Sequence, residues 1–220
     1  MKNSRFNIKQ KSYLIIFVSQ FFLYPAHAAY TTLSATIDTS SIVNTDALIA
    51  FDFIPGDSPV LNAVSIFSFL TDGTITTGTA ILTGDAIGDL TSNASLQNTS
   101  FFNEIMQPIS LGNSITFNVT LSQEFSGSIP DALSVFLLDA SYMPLFHTTD
   151  PTGSDSLFLF SIDGTATGNL NIYAADSAIS NPVTWSAQLV TVPIPATVWL
   201  FLPGLFSFGL NRHSAKKSRR

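Results

Sequence analysis

The sequence predicts an all-β protein, an antiparallel β-sandwich of the jelly-roll kind, flanked by two terminal segments. Short apolar runs are separated by turn-forming dipeptides along most of the chain. Residues 115–121 alternate apolar and polar side chains, which gives a strand one buried and one exposed face. Helical periodicity is almost absent. Many short strands divided by turns are typical of a two-sheet β-domain.

The same signals give the order of the elements. We expect strands at 33–37, 48–54, 64–70, 75–82, 89–96, 115–121, 132–138, 157–162, 167–173 and 183–190. The Asp72-Gly73 and Asp163-Gly164 dipeptides predict tight hairpins, because glycine readily adopts positive φ. One helical turn or two is expected at 100–107, ended by Pro108.

Charge is distributed in blocks along the chain. All 9 basic residues lie within 1–11 or 212–220, and all 15 acidic residues lie within 38–176. The middle therefore has a formal charge of −15 and no Lys or Arg, and we expect no intramolecular salt bridge in it. Its field repels phosphates, which makes nucleic acid an unsuitable partner. With no cysteine, disulfides, thiolate metal sites and cysteine nucleophiles are excluded.

Residues 1–28 have the pattern of a secretory signal peptide. Four basic residues precede an apolar run at 13–23, and Ala26 and Ala28 provide the small-x-small cleavage pattern. The apolar run is shorter than the ~20 residues that span a bilayer. We therefore expect export through the Sec machinery, cleavage after Ala28, and a mature acidic domain over 29–190.

Residues 191–220 consist of a stiff lead, an apolar segment and a basic tail. Pro193 and Pro195 keep the lead extended, because proline lacks an N–H and disfavours helix before it. The apolar residues 196–210 would form a helix about 22 Å long, short of the ~30 Å hydrocarbon core. Such a segment is suited to transient membrane insertion, with the basic tail on the cytoplasmic side.

This tripartite end resembles the PEP-CTERM sorting signal of Gram-negative bacteria, in its Val-Pro-x-Pro-Ala variant. The resemblance covers about the last thirty residues and is strengthened by the signal peptide. It implies cleavage by an exosortase, an inner-membrane intermediate, and delivery to the cell surface or the exopolysaccharide matrix. The residues that match the motif are Val192, Pro193, Ile194, Pro195 and Ala196.

Two clusters of aspartates are candidate calcium ligands, since calcium takes six to eight oxygens. They are Asp85 with Asp89 and Asp150 with Asp155. Neither cluster has the register of an EF-hand, and aspartates beside Gly, Ser, Thr or Pro commonly stabilise turns instead. We therefore expect no cofactor for this domain, with calcium as the alternative.

Three aromatic residues are candidates for stacking against sugar rings, namely Tyr142, Phe146 and Trp185. Core packing is the alternative explanation for aromatic residues in strands. Glu104 and Glu124 are the only glutamates, and neither lies in a glycosidase motif, which disfavours a hydrolase. We therefore expect a non-enzymatic exported protein with a structural or adhesive role in exopolysaccharide or biofilm material. A calcium-assisted carbohydrate-binding module is the alternative.

Overall fold

The computed structural model describes residues 30–165, 168–176 and 183–190, which form thirteen strands and one 3-10 turn, Ser40–Ile42. Every strand pairing within them is antiparallel. The strands are β1 Tyr30–Asp38, β2 Asp46–Ile54, β3 Ala63–Thr71, β4 Thr74–Ile75, β5 Ile81–Thr83, β6 Ile87–Gly88, β7 Ala94–Gln97, β8 Asn103–Ser110, β9 Ser114–Ser122, β10 Asp131–Leu138, β11 Phe158–Ile162, β12 Asn169–Ile172 and β13 Thr184–Val190.

The strands form two sheets, as expected for a β-sandwich. The first sheet has the order β13-β1-β9-β3-β7-β6, and the second has the order β12-β11-β10-β2-β8-β4, with β5 also paired to β8. The chain passes between the sheets at most connections. The predicted all-β class with two antiparallel sheets is therefore confirmed.

The core lies between the two sheets and is built from alternate residues of each strand. Phe117 on β9 meets Phe51 on β2 edge to face, with ring centroids 5.1 Å apart. The same ring packs at 6.4 Å against Phe158 on β11. Since Phe117 belongs to the first sheet and its partners to the second, the sheets pack face to face. Strand alternation thus places one side chain in two in a shared apolar interior.

The helical turn predicted at 100–107 is wrong, because β8 occupies Asn103–Ser110. Four of its eight residues point inward and are buried, and two of these are the polar Asn103 and Gln107. Pro108 pairs with Leu48 of β2. On the other edge of β8, β4 pairs with residues 109–110 and β5 pairs with residues 104–106, so Pro108 has no strand partner on that edge. The missing N–H therefore interrupts no backbone hydrogen bond there.

The two predicted hairpins have different outcomes. Asp163-Gly164 begins the connection between β11 and its antiparallel partner β12, and Gly164 has a φ of 77°. A hairpin therefore forms there, but its connection of six residues, 163–168, is longer than the tight turn predicted. Asp72-Gly73 makes no hairpin, because it connects β3 of the first sheet to β4 of the second. Gly73 is required there by close approach, since a Cβ would lie 2.2 Å from the carbonyl oxygen of Ser110.

A buried polar network closes one end of the sandwich. The Asp131 carboxylate accepts hydrogen bonds from the Asn62 and Asn98 side chains, both at 2.8 Å, and from the Gly56 N–H at 2.7 Å. Asp131 and Asn62 are fully buried. Because each donor is an amide, the carboxylate is satisfied without a cation, and the network ties the connection between β2 and β3 to β10.

The predicted signal peptide and the C-terminal sorting helix lie outside the described residues. Over 30–165, 168–176 and 183–190, no helix has the length and hydropathy needed to cross a membrane.

Candidate functional site

A groove lies on the outer face of the second sheet, the face turned away from the core. It is lined by residues of β2, β8 and β10, by the loop that follows β10, and by Ser154. We call it the outer groove. Its volume is about 390 Å³, and its lining consists of Asp52, Glu104, Met106, Phe136, Leu138, Tyr142, Pro144 and Ser154.

The floor of the outer groove is apolar. Leu48, Ala50 and Leu138 form a small buried cluster on this face, with Met106 and Phe136 packed against them. They are separate from the core because they alternate with inward-facing residues on the same strands. The groove therefore offers a hydrophobic surface with few polar groups, as ligand sites commonly do.

The polar end of the groove is a pair of carboxyl groups, Asp52 on β2 and Glu104 on β8. They are direct cross-strand partners, and their side chains hydrogen bond to each other. Burial, followed by the negative charge of Glu104, raises the pKa of Asp52 to about 8. Burial also raises the pKa of Glu104, opposed by its hydrogen bonds to Asp52 and Thr83.

Asp52 carries a buried oxygen that lacks a donor. Its Oδ1 atom is inaccessible to solvent and accepts no hydrogen bond. Two carboxyl groups in contact can satisfy such an oxygen by sharing one proton, since both cannot be ionised at close range without strong repulsion. The raised pKa of Asp52 favours one proton shared by the pair over two ionised carboxylates.

Tyr142 stands at the rim of the groove on the loop after β10. Asp139 organises this loop, because its carboxylate accepts the Ser141 N–H at 2.7 Å and the Met143 N–H at 3.0 Å. Tyr142 is 56% exposed and has a φ of 63°. A bulky residue in the left-handed region costs about 1 kcal/mol, so its position there is not explained by stability.

The loop that carries Ser154 is organised by Asp150, one of the predicted calcium ligands. Asp150 is 93% buried, as its relative exposure is 7%. It accepts hydrogen bonds from Ser154 Oγ at 2.6 Å, Ser156 Oγ at 2.7 Å and Thr152 Oγ1 at 2.8 Å. Burial alone would raise its pKa, but these hydrogen bonds together with the Thr152 N–H outweigh burial and lower it.

Asp155, the second predicted ligand of that cluster, has other partners. Its Oδ2 lies 2.6 Å from His147 Nδ1, and its Oδ1 accepts the Thr148 N–H at 2.8 Å. The expectation of no intramolecular salt bridge is thus wrong, because His147 forms one with Asp155 when protonated. The two aspartates stabilise the same loop from separate ends.

Asp85 and Asp89 also have separate sets of partners. Asp85 accepts hydrogen bonds from the Thr99 and Ser100 side chains, which lower its pKa. Asp89 accepts the Thr91 hydroxyl at 2.6 Å and the Gly78 N–H at 2.9 Å, and the pKa of Asp89 is lowered chiefly by Thr91. Within the described ranges, no three His, Cys, Asp or Glu side chains converge as a metal site would require.

Phe146 and Trp185, the other sugar-stacking candidates, are partly buried. Their rings stack on each other, with centroids 5.3 Å apart and planes 18° apart. Trp185 also donates its indole N–H to the Tyr173 carbonyl at 2.7 Å, and both rings pack against the core. Of the three aromatics, Tyr142 therefore presents the freest ring.

The residues predicted for processing lie outside the described ranges. They are the cleavage residues Ala26 and Ala28 and the motif residues Val192, Pro193, Ile194, Pro195 and Ala196. They remain predictions from the sequence.

The chain was compared with protein-family models, curated proteins and solved structures. No family model, curated protein or solved structure matches this chain.

Asp52 was not among the candidates from the sequence, and Glu104 was named there only where a hydrolase was disfavoured. Their contact depends on the register between β2 and β8, which single-sequence patterns do not specify. The available signal is Asp52 itself, the one acid of the otherwise apolar predicted strand 48–54, between Phe51 and Phe53. An acid at such a position must lie on the face opposite the core.

Proposed function

We propose that this chain is an exported cell-surface or matrix protein that is processed by an exosortase and acts as an adhesive component of exopolysaccharide or biofilm material. The leader and the Val192–Ala196 motif support export and processing, because a bare membrane anchor needs neither. The outer groove supports adhesion, and the exposed Tyr142 ring beside the Asp52–Glu104 pair is the observation that carries it.

The groove favours holding a ligand over hydrolysing it. Glycosidases place two carboxyl groups about 5 to 9.5 Å apart on either side of the scissile bond. Asp52 and Glu104 are instead direct cross-strand partners that hydrogen bond to each other, unlike the separated carboxyl groups of a glycosidase. A glycoside hydrolase therefore stays the disfavoured reading. The calcium-assisted binding module stays the alternative, with Tyr142 as its stacking residue.

We also propose that the sandwich is built on a jelly roll. A jelly roll alternates its eight strands between two sheets and pairs the first strand with the last. The strand order supports this, since β1 pairs with β9 in the first sheet and β2 pairs with β8 in the second. Strands β10 to β13 then extend the edges of both sheets.

Processing is tested by the intact mass of the protein from producing cells with and without a functional exosortase. We expect residues 196–220 to be lost only when the exosortase is present, and the protein to appear in the matrix fraction. Retention of these residues in normal cells would defeat the sorting proposal. If the unprocessed protein still reached the matrix, the proposed role of the exosortase would be refuted and the proposed matrix location would stand.

A further inference from the structure

We infer that the outer groove binds a protonated amine carried on a sugar ring, as in the amino sugars of a partly deacetylated polysaccharide. The inference rests on the proposed matrix role and specifies the ligand class of the same groove. Three features of the groove lead to it: an uncompensated carboxyl pair, an apolar and aromatic lining, and too few oxygens for a metal.

The first feature is negative charge that no basic side chain of the domain neutralises. Asp52 Oδ1 is inaccessible to solvent, so a ligand in the groove meets the pair through Glu104, which also lines it. No Lys or Arg occurs between residues 12 and 211, and the one histidine of the described residues, His147, contacts Asp155. A counter-ion for the Asp52–Glu104 pair must therefore come from outside the domain, and an ammonium group supplies both charge and hydrogen-bond donors.

The second feature is the lining. Phe136, Met106 and Pro144 offer apolar surface, and the exposed Tyr142 ring stands at the rim. An aromatic face attracts both the apolar face of a sugar ring and a cation held within about 6 Å. The volume of about 390 Å³ lies within the range of small-ligand sites. A sugar bearing an amine satisfies the lining and the carboxyl pair together.

The third feature separates an organic cation from calcium. Calcium requires six to eight oxygen ligands. The groove offers two carboxyl groups, while the hydroxyl of Ser154 is held by Asp150 at 2.6 Å. Hydrocarbon and aromatic groups make up the rest, so an ammonium with an organic body matches the groove better than a metal ion does.

The test measures binding of two matched probes to the purified full-length protein by titration calorimetry. The probes are a hexamer of glucosamine and a hexamer of N-acetylglucosamine, at about pH 6 and about 0.15 M salt to screen long-range attraction. We expect the amine hexamer to bind and the acetylated hexamer to bind about tenfold more weakly or less, because acetylation removes one charge-assisted contact.

Variants locate the site. Glu104→Gln should weaken binding of the amine hexamer about tenfold. Asp52→Asn should weaken it less than Glu104→Gln does, because asparagine replaces the protonated partner of the pair and leaves the charge of Glu104 in place. Asp46→Asn, which removes the same charge from an exposed position of β2, should leave binding unchanged. Tyr142→Gly should weaken binding without lowering the melting temperature, since glycine accepts the φ of 63° that tyrosine holds under strain. If Tyr142 had only a structural role, Tyr142→Gly would not weaken binding while the melting temperature stayed the same.

Several results would overturn the inference. Equal binding of both hexamers would indicate a neutral sugar site, and equal binding of hexalysine would indicate a general cation or peptide site. An equal loss in Asp46→Asn would indicate diffuse attraction to the acidic surface. Absence of binding to either hexamer would remove the amine inference while leaving the processing experiment to decide the proposed function.

Discussion

The shared proton of Asp52 and Glu104 makes the stability of this protein depend on pH in an unusual direction. Folding raises the pKa of Asp52 from its ordinary value of 3.8 to about 8. A carboxyl whose pKa is higher in the folded state contributes stability that is complete below the unfolded pKa and is lost as the pH rises through the folded one. Between about pH 4 and pH 8, the protein should therefore become less stable with rising pH.

The magnitude follows from one proton. One extra bound proton changes the free energy of unfolding by about 1.4 kcal/mol per pH unit, or about 2.7 kcal/mol between pH 5.5 and pH 7.5. Asp52 is half-buried, so solvent screening reduces this to roughly 1 to 2.5 kcal/mol. For a domain of this size, the melting temperature should fall by about 3 to 10 °C over that range.

The assay is thermal unfolding followed by circular dichroism at constant ionic strength. In Asp52→Asn, most of the fall in melting temperature with rising pH should disappear, because asparagine has the shape of aspartate and does not titrate. In Asp46→Asn, the fall in melting temperature should remain. A His147→Gln background removes the one imidazole of the described residues and isolates the carboxyl pair. A wild-type melting temperature that is flat from pH 5.5 to pH 7.5, or an unchanged slope in Asp52→Asn, would refute the shared proton.

Three further predictions concern other parts of the sandwich. Gly73→Ala should destabilise the fold by about 2 kcal/mol in urea unfolding, because its Cβ would meet a carbonyl oxygen at 2.2 Å; an unchanged midpoint would contradict that contact. Asp131→Ala should lower the free energy of unfolding by about 3 kcal/mol, since three donors, among them the buried Asn62, lose their acceptor, and a loss no larger than that of Asp46→Ala would count against the network. Calcium at about 1 mM should shift melting no more than magnesium, because the carboxylate of Asp150 is already saturated by donors; a calcium-specific rise abolished in Asp150→Asn would restore the calcium site.

Strands with one uniformly apolar face were predictable from the sequence. Residues 115–121 alternate apolar and polar side chains and fall within β9, where burial alternates along the whole strand. Residues 132–138 are almost all apolar and fall within β10. Strand β8 was not predicted from the sequence, because two of its inward-facing residues, Asn103 and Gln107, are polar. Asn103 donates a hydrogen bond to the Phe53 carbonyl at 3.2 Å, and Gln107 donates one to Thr79 Oγ1 at 2.8 Å. Buried amides with partners remove the alternation on which a strand prediction depends.

Sheet membership and register could not be predicted in the same way. Asp72-Gly73 has the composition of a hairpin turn, but local composition does not specify whether the next strand joins the same sheet. The candidate site depends on the same information. Tyr142 was identified from its residue type alone, whereas the contact of Asp52 with Glu104 exists only through the pairing of β2 with β8.

The absence of Lys and Arg from the sandwich also determines which proteases can attack it. Loops 126–129 and 151–154 are exposed, and exposed loop tips are where proteases usually cut. These loops contain Ser, Gly, Ile, Pro and Thr, so an enzyme that cleaves after basic residues finds no site in them. Trypsin would leave residues 12–212 as a single fragment even after unfolding. In an environment rich in trypsin-like enzymes, the domain would persist because of its composition as much as its stability.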